Sequence, residues 1–183
     1  MNLKKVILWL LLVLVVLVGS TVLIKKYVFP YKYKEYVDKY SKEYNLDPLL
    51  VLSVIKTESN FNKDAQSNKG AKGLMQIMDA TGLWASEEVG MQYFTPQMLF
   101  SPEKNIELGC WYLNNLTSEF KDLSLVLAAY NGGSGNVSSW LSNPQYSNDG
   151  THLDYIPFKE TKKYVDRVKT NYNIYKYFYR KSE

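Results

Sequence analysis

Glu58 is the acidic residue whose neighbours most favour chemistry in this sequence. The residues one and two helical turns before it, Ile55, Val54 and Val51, are apolar, so a helix would place the carboxyl group beside an apolar face. Partial loss of solvent favours the neutral acid and raises its pKa, as a general acid requires near neutral pH. From this helix alone, a solvated surface glutamate is more common than a catalytic one. Other motifs must therefore decide whether Glu58 has a chemical role.

The remaining reactive side chains point to no metal or organic cofactor. Cys110 is the only cysteine, which rules out an internal disulfide and a cysteine-based zinc site, and we expect it to be a small buried residue. His152 is the only histidine and has no adjacent motif, so we expect a loop or surface position.

Several sequence blocks follow one another in a fixed order. They are ESNF at residues 58–61, Ser67, GAKGLMQI at 70–77, AAYNGG at 128–133 and IPFKETKKYV at 156–165. This ordered set resembles the soluble lytic transglycosylase family, whose catalytic domain is similar to goose-type lysozyme. The resemblance extends from about Tyr33 to Tyr179, and four blocks in order are much more specific than any one of them.

The resemblance implies a peptidoglycan-cleaving enzyme in which Glu58 acts as acid and then as base. Glu58 would protonate the oxygen that links N-acetylmuramic acid to N-acetylglucosamine. The resulting carboxylate would then take the proton from the muramic acid 6-hydroxyl, which closes on C1 and gives a 1,6-anhydro sugar. One carboxyl group can therefore suffice where ordinary glycosidases use two.

The first two blocks would supply substrate contacts beside Glu58. By resemblance, Gln76 hydrogen-bonds near the glutamate and the sugar, and the hydroxyl groups of Ser59 and Ser67 line the same site. Met75 could place its polarizable sulfur against a sugar face, although packing is the commoner role of such a residue.

The last two blocks would complete the site. Tyr130 and Asn131 match the pair at the floor of the cleft, with Tyr130 pointing toward Glu58 and able to support it by a hydrogen bond. Glu160 matches a position in a polar network, and Tyr164 one beside the cleft. The alternatives are that Tyr130 is a core aromatic residue, that Asn131 ends a helix, and that Glu160 interacts with a helix dipole.

The spacing of apolar residues predicts a mainly helical domain with a substrate cleft, of the lysozyme-like type that the resemblance implies. Pro residues that follow a capping residue mark three helix starts, at Pro48, Pro96 and Pro102. The predicted helices cover residues 33–44, 48–58, from 79 or 81 onward, 102–116, 123–130, 137–141 and 159–179.

Residues 1–26 form a separate N-terminal segment. Nineteen uncharged residues, 6–24, lie between two lysine pairs and could nearly span a bilayer as a helix, either as an anchor or as a cleaved signal peptide. We expect an anchor, with residues 27–31 as a tether and 32–183 as an extracytoplasmic catalytic domain. Without the four lysines the chain has 18 basic and 18 acidic residues, so nucleic acid is not an expected partner.

Two other functions remain open at this stage. A hydrolytic muramidase on the same fold would need a second carboxylate to activate water, and Asp64, Asp79, Glu87 and Glu88 are candidates. A non-catalytic wall-binding scaffold would keep the fold as a sugar-recognition module. A cell-envelope or secretion complex as partner is also open.

Overall fold

The computed structural model describes residues 2–180, which divide into two units, one up to Lys32 and one from Tyr33 onward. In the first unit, helix α1 spans Leu3–Leu23 and continues as a π-helical turn over Ile24–Val28. These 26 residues are long and apolar enough to cross a membrane. The helix thus includes the first two residues of the predicted tether.

The second unit is helical throughout its regular structure. Within residues 33–180 it contains α2 (Lys34–Glu43), α3 (Pro48–Ser59), α4 (Asp79–Glu88), a 3-10 turn (Pro96–Phe100), α5 (Pro102–Phe120), α6 (Leu123–Gly132), α7 (Ser134–Leu141) and α8 (Lys159–Tyr179). The part of the chain that the structure describes has isolated β-bridges and no β-strand.

Helix α6 occupies the centre of this unit. Residues 125–129 are all buried, and α6 packs against α5, α7 and α8. On α5 the predicted stripe of Ile106, Cys110, Leu113 and Leu116 is buried as expected. Helix α6 extends two residues beyond its predicted end, through Gly132, because the residue that leaves helical geometry is Gly133, with a φ of 88°.

Helix α3 has a side-chain cap at its first turn and is hydrogen-bonded to α8 near both of its ends. The Asp47 carboxylate caps α3 by accepting from the Leu49 backbone N–H (2.8 Å) and also accepts from the Tyr172 hydroxyl (2.6 Å). At the other end the Asn171 side-chain amide donates to the Thr57 hydroxyl (2.9 Å). These contacts fix the terminus of α3 that carries Glu58.

Candidate active site

Glu58 lies one residue before the end of α3 and is half-buried. The apolar residues that precede it on the helix, Val51, Val54 and Ile55, are fully buried. Burial raises the pKa of the Glu58 carboxyl group from its ordinary 4.5 to about 7, and the Tyr164 hydroxyl opposes this rise. The sequence-based prediction of a partly desolvated carboxyl group is confirmed. With a pKa of about 7, this group can both donate and accept a proton near neutral pH, as an acid–base catalyst must.

Tyr164 is the aromatic residue whose hydroxyl lowers the pKa of Glu58. Burial, followed by the Glu58 charge, raises the pKa of this hydroxyl well above its usual range, so it remains a donor. Among residues 2–180 the hydroxyl has no acceptor with ordinary hydrogen-bond geometry, although it lies close enough to the Glu58 carboxylate to lower its pKa. When Glu58 becomes charged, its carboxylate can therefore accept a hydrogen bond from this buried hydroxyl.

The expected hydrogen bond from Tyr130 to Glu58 is not formed. The Tyr130 hydroxyl instead donates to the backbone carbonyl of Met75 (2.9 Å), and a hydroxyl has only one proton to donate. The Glu58 charge still helps to raise the pKa of Tyr130, so the two side chains are neighbours. Tyr130 stabilises the loop that faces the Glu58 carboxyl group.

Met75 does not contact the cleft with its side chain, and the prediction that it contacts substrate is wrong. The side chain is fully buried, and a methyl group at Gly109 would come within 2.4 Å of its sulfur. Close packing against a glycine on α5 leaves Met75 no path to a sugar.

The loop between α3 and α4 places Gln76 beside Glu58. Gln76 has a left-handed backbone with a φ of 49°, and its side-chain amide donates to the carbonyl groups of Gly73 (2.9 Å) and Ala65 (3.1 Å). The Ser59 hydroxyl crosses from α3 to the same loop by donating to the Leu74 carbonyl (2.8 Å). With both Gln76 protons engaged, its side-chain oxygen is the atom left to accept from a ligand.

Asn105 on α5 holds the loop between α3 and α4 by hydrogen bonds to its backbone. The Asn105 side chain is fully buried, accepts from the Met75 N–H (2.7 Å) and donates to the carbonyl groups of Lys72 (2.9 Å) and Leu99 (2.8 Å). Gly73 packs closely against the Asn105 amide and the Leu99 carbonyl group. A methyl group added at Gly73 would lie 2.1 Å from the Leu99 oxygen. The loop geometry depends on this one amide and on the absence of a side chain at Gly73.

Two cavities meet at Glu58 and Gln76, and both residues line each of them. The larger cavity, about 870 Å³, adds Ser67, Asn68, Lys69, Ala71, Met78, Tyr130, Asn131, Gly132, Pro157, Phe158, Lys159, Glu160 and Thr161. The smaller cavity, about 520 Å³, adds Lys56, Thr57, Ser59, Asn60, Ala65, Gln66, Arg167 and Asn171. Glu58 is thus placed in the middle of a cleft that extends to both sides of it.

Most predicted site residues are brought together by this cleft. Ser67, Tyr130, Asn131 and Glu160 line the larger cavity, and Ser59 lines the smaller one. The Ser67 hydroxyl also accepts from the Ala71 N–H (3.0 Å), which shapes the turn at its rim. Glu160 is exposed in the first turn of α8, and its carboxylate lies 3.8 Å from the Lys69 ammonium group.

Met78, Phe158 and Arg167 are among the lining residues that the sequence did not predict. Met78 is next but one to Gln76, and Phe158 lies inside the block at 156–165. Position within a motif block or directly after one was therefore a usable signal for these two, whereas Arg167 lies outside the block at 156–165.

The candidates for a second catalytic carboxylate are absent from both cavities. Asp64 is ion-paired with Lys63 (2.8 Å), Asp79 with Lys72 (2.5 Å), and neither Glu87 nor Glu88 is a lining residue. Glu160 is the carboxylate that shares a cavity with Glu58 in the described chain.

The remaining reactive side chains lie where the sequence predicted. Cys110 is buried, and His152 is exposed and pairs with Asp149. Within residues 2–180 no group of His, Cys, Asp and Glu side chains could bind a metal ion.

A half-buried carboxyl group in the cleft of a helical domain defines a candidate acid–base site, and comparison with known proteins gives the family. Residues 35–152 match the model of the transglycosylase SLT domain, so the chain belongs to this family. A putative soluble lytic murein transglycosylase of Haemophilus influenzae is 35% identical over 144 residues, which are 76% of this chain and 24% of that protein. Membrane-bound lytic murein transglycosylase C of Shigella sonnei is 30% identical over 175 residues, 80% of this chain and 47% of that one.

Solved structures confirm the predicted fold of a mainly helical domain of this family. An inactive glutamate-to-glutamine mutant of the lytic transglycosylase Slt from Pseudomonas aeruginosa matches with a TM-score of 0.74 and 32% identity, over 85% of this chain and 25% of that one. The 70 kDa soluble lytic transglycosylase of Escherichia coli, also solved with bulgecin A, matches with a TM-score of 0.73 and 30% identity, over 82% of this chain and 25% of that one. The chain thus spans about a quarter of the soluble relatives' length.

Proposed function

We propose that this protein is a peptidoglycan lytic transglycosylase that cleaves the β-1,4 bond between N-acetylmuramic acid and N-acetylglucosamine. The observation that carries the proposal is the half-buried Glu58 carboxyl group in the middle of the cleft, with a pKa of about 7. Membership of the transglycosylase SLT domain family supports the substrate class.

Glu58 moves one proton in each direction during the proposed reaction. As a neutral acid it donates a proton to the glycosidic oxygen, the bond to C1 breaks, and the leaving sugar departs with a free hydroxyl. The Glu58 carboxylate then accepts the proton of the muramic acid 6-hydroxyl while that oxygen bonds to C1. A pKa near 7 suits both steps, because neither protonation state is strongly disfavoured at neutral pH.

The local contacts of Glu58 fit both protonation states. Apolar residues behind the carboxyl group favour its neutral form before the first step. When the carboxylate forms, the Tyr164 hydroxyl stabilises it, as its lowering of the Glu58 pKa indicates. Gln76 and Ser59 lie at the same cavity wall, where the Gln76 oxygen can accept from a sugar hydroxyl.

The closest alternative is a hydrolytic muramidase in which water replaces the 6-hydroxyl. Glu160 shares the larger cavity with Glu58 but is exposed and close to Lys69, so its position is not that of a buried second catalyst. A non-catalytic scaffold would have no use for a carboxyl group with a pKa near 7 in the cleft.

The products of digestion distinguish these functions. Purified sacculi incubated with the full chain should release muropeptides that end in 1,6-anhydro-N-acetylmuramic acid, which lack one water relative to reducing-end products and are separated by mass spectrometry. Reducing ends would instead identify a muramidase, and sacculi that bind the protein without releasing fragments would identify a scaffold.

We also propose that Leu3–Val28 anchors the protein in the cell membrane with the second unit on the extracytoplasmic side, where peptidoglycan lies. The length and hydropathy of this helix support a membrane span. The full chain should remain in the membrane pellet after alkaline carbonate extraction, and a C-terminal alkaline phosphatase fusion should be active. A shortened soluble product would show a cleaved signal, and an inactive fusion would contradict the orientation.

A further inference from the structure

Phe158 is a large apolar side chain that faces the larger cavity with much of its surface exposed. Its exposed fraction is 49%, and it lies directly before α8, which begins at Lys159. Most of the other side chains around this cavity are polar, including Ser67, Asn68 and Asn131. An exposed phenyl ring beside polar groups is a common feature of sites that bind amphipathic ligands.

The Phe158 ring is fixed in place before any ligand arrives. The Phe158 ring packs against Trp140 in an edge-to-face arrangement, with ring centroids 4.9 Å apart and planes at 75°, and Trp140 is itself buried in α7. The Phe158 backbone is fixed as well, because its carbonyl accepts from the Lys162 N–H (2.9 Å) at the first turn of α8. A ligand that covers the ring therefore needs little ordering of the protein.

We infer that Phe158 is a sugar-binding residue, whose ring stacks on the apolar C–H face of a pyranose of the glycan strand. This inference rests on the proposed function, since it names where that substrate lies in the larger cavity. A pyranose presents hydroxyl groups around its edge and C–H groups on its face, so it matches a cavity with a polar rim and one aromatic wall. Glu160, which is exposed and lines the same cavity in the first turn of α8, can pair with the hydroxyl groups.

Tyr155 provides a matched control in the same loop. Its exposed fraction is 48%, and it also packs edge-to-face on another ring, that of Tyr146, at 5.4 Å and 89°. Unlike Phe158, Tyr155 lines neither cavity. The two residues share size, exposure and support and differ in whether they face the cleft.

Binding can be measured without cleavage in the full chain carrying Glu58→Gln, in detergent micelles, with a purified peptidoglycan tetrasaccharide as the titrant. Calorimetry should show Kd about tenfold higher when Phe158→Ala is added, because stacking contact and apolar area are both lost. Phe158→Leu, which keeps apolar bulk without a flat ring, should weaken binding by a similar factor. Phe158→Trp and Tyr155→Ala should leave Kd within about twofold.

The outcomes separate this inference from the proposed function. Unchanged binding by Phe158→Ala or Phe158→Leu, in a chain that melts at the parent temperature, would overturn the stacking role. Equal losses in Phe158→Ala and Tyr155→Ala would assign the effect to the loop and would also overturn it. Failure of the Glu58→Gln chain itself to bind the tetrasaccharide would contradict the proposed function, and this inference with it.

Discussion

Glycan cleavage should fall by about three orders of magnitude when Glu58 is replaced by glutamine, because the amide can neither donate the proton to the leaving oxygen nor accept one from the 6-hydroxyl. Glutamine preserves the size of the side chain, so the cleft should keep its shape. Turbidity of a sacculus suspension measures the rate. Glu87→Gln is the matched control, since it removes an exposed carboxylate outside both cavities and should leave the rate unchanged. Substantial lysis by the Glu58→Gln chain would refute the proposed mechanism.

The same variant should show a pH-dependent gain in stability that reports on burial. The folded-state pKa of Glu58 is raised from 4.5 to about 7, so between these values the folded chain binds more protons than the unfolded chain and loses stability as the pH rises. Glutamine removes this cost, and Glu58→Gln should be more stable than the parent by about 2–3 kcal/mol near pH 8. Urea unfolding at several pH values should show the difference vanish toward pH 4.5. A constant difference would indicate a normal pKa.

Replacing Asn105 by alanine should destabilise the domain by about 4 kcal/mol, because three backbone groups lose their buried partner at once. The Met75 N–H and the carbonyl groups of Lys72 and Leu99 would be left unpaired, and water has little access to a fully buried site. The same substitution should reduce activity in the chains that remain folded, because Asn105 fastens the loop that carries Gln76. Urea unfolding measures the first effect and turbidity the second.

Asn114→Ala is the control for Asn105, since both residues belong to α5 and Asn114 is only partly buried. It should change stability by less than about 0.5 kcal/mol, as surface substitutions usually do. A cost of less than about 1 kcal/mol for Asn105→Ala would show that the amide does not organise the loop.

Local residue order was sufficient to predict most of the helices. Asp47 and Pro48 give a side-chain cap and a fixed φ at the start of α3, and both act within one turn of the chain. The apolar spacing of residues 159–179 gave α8 with its observed ends. Such signals depend on near neighbours in the sequence, so they can be read without the fold.

The side-chain partners around Glu58 could not be read in this way. Tyr130 and Tyr164 are both tyrosines in motif blocks, and only the packing of α6 and α8 decides that Tyr164 faces the carboxylate while Tyr130 binds the Met75 carbonyl. Met75 is withdrawn from the cleft because Gly109, 34 positions away, leaves room for its sulfur. These choices depend on contacts between residues distant in the chain, which no local pattern encodes.

The sequence by itself determined that this chain forms a helical domain with a partly desolvated glutamate at a helix end, because helix caps and apolar periodicity act within a few residues. Only the tertiary structure decided which hydroxyl faces that glutamate, which amide fastens the loop beside it, and that Phe158 lines the cleft. Each of these depends on the distance and direction between side chains on different helices, and those are fixed only when the helices pack.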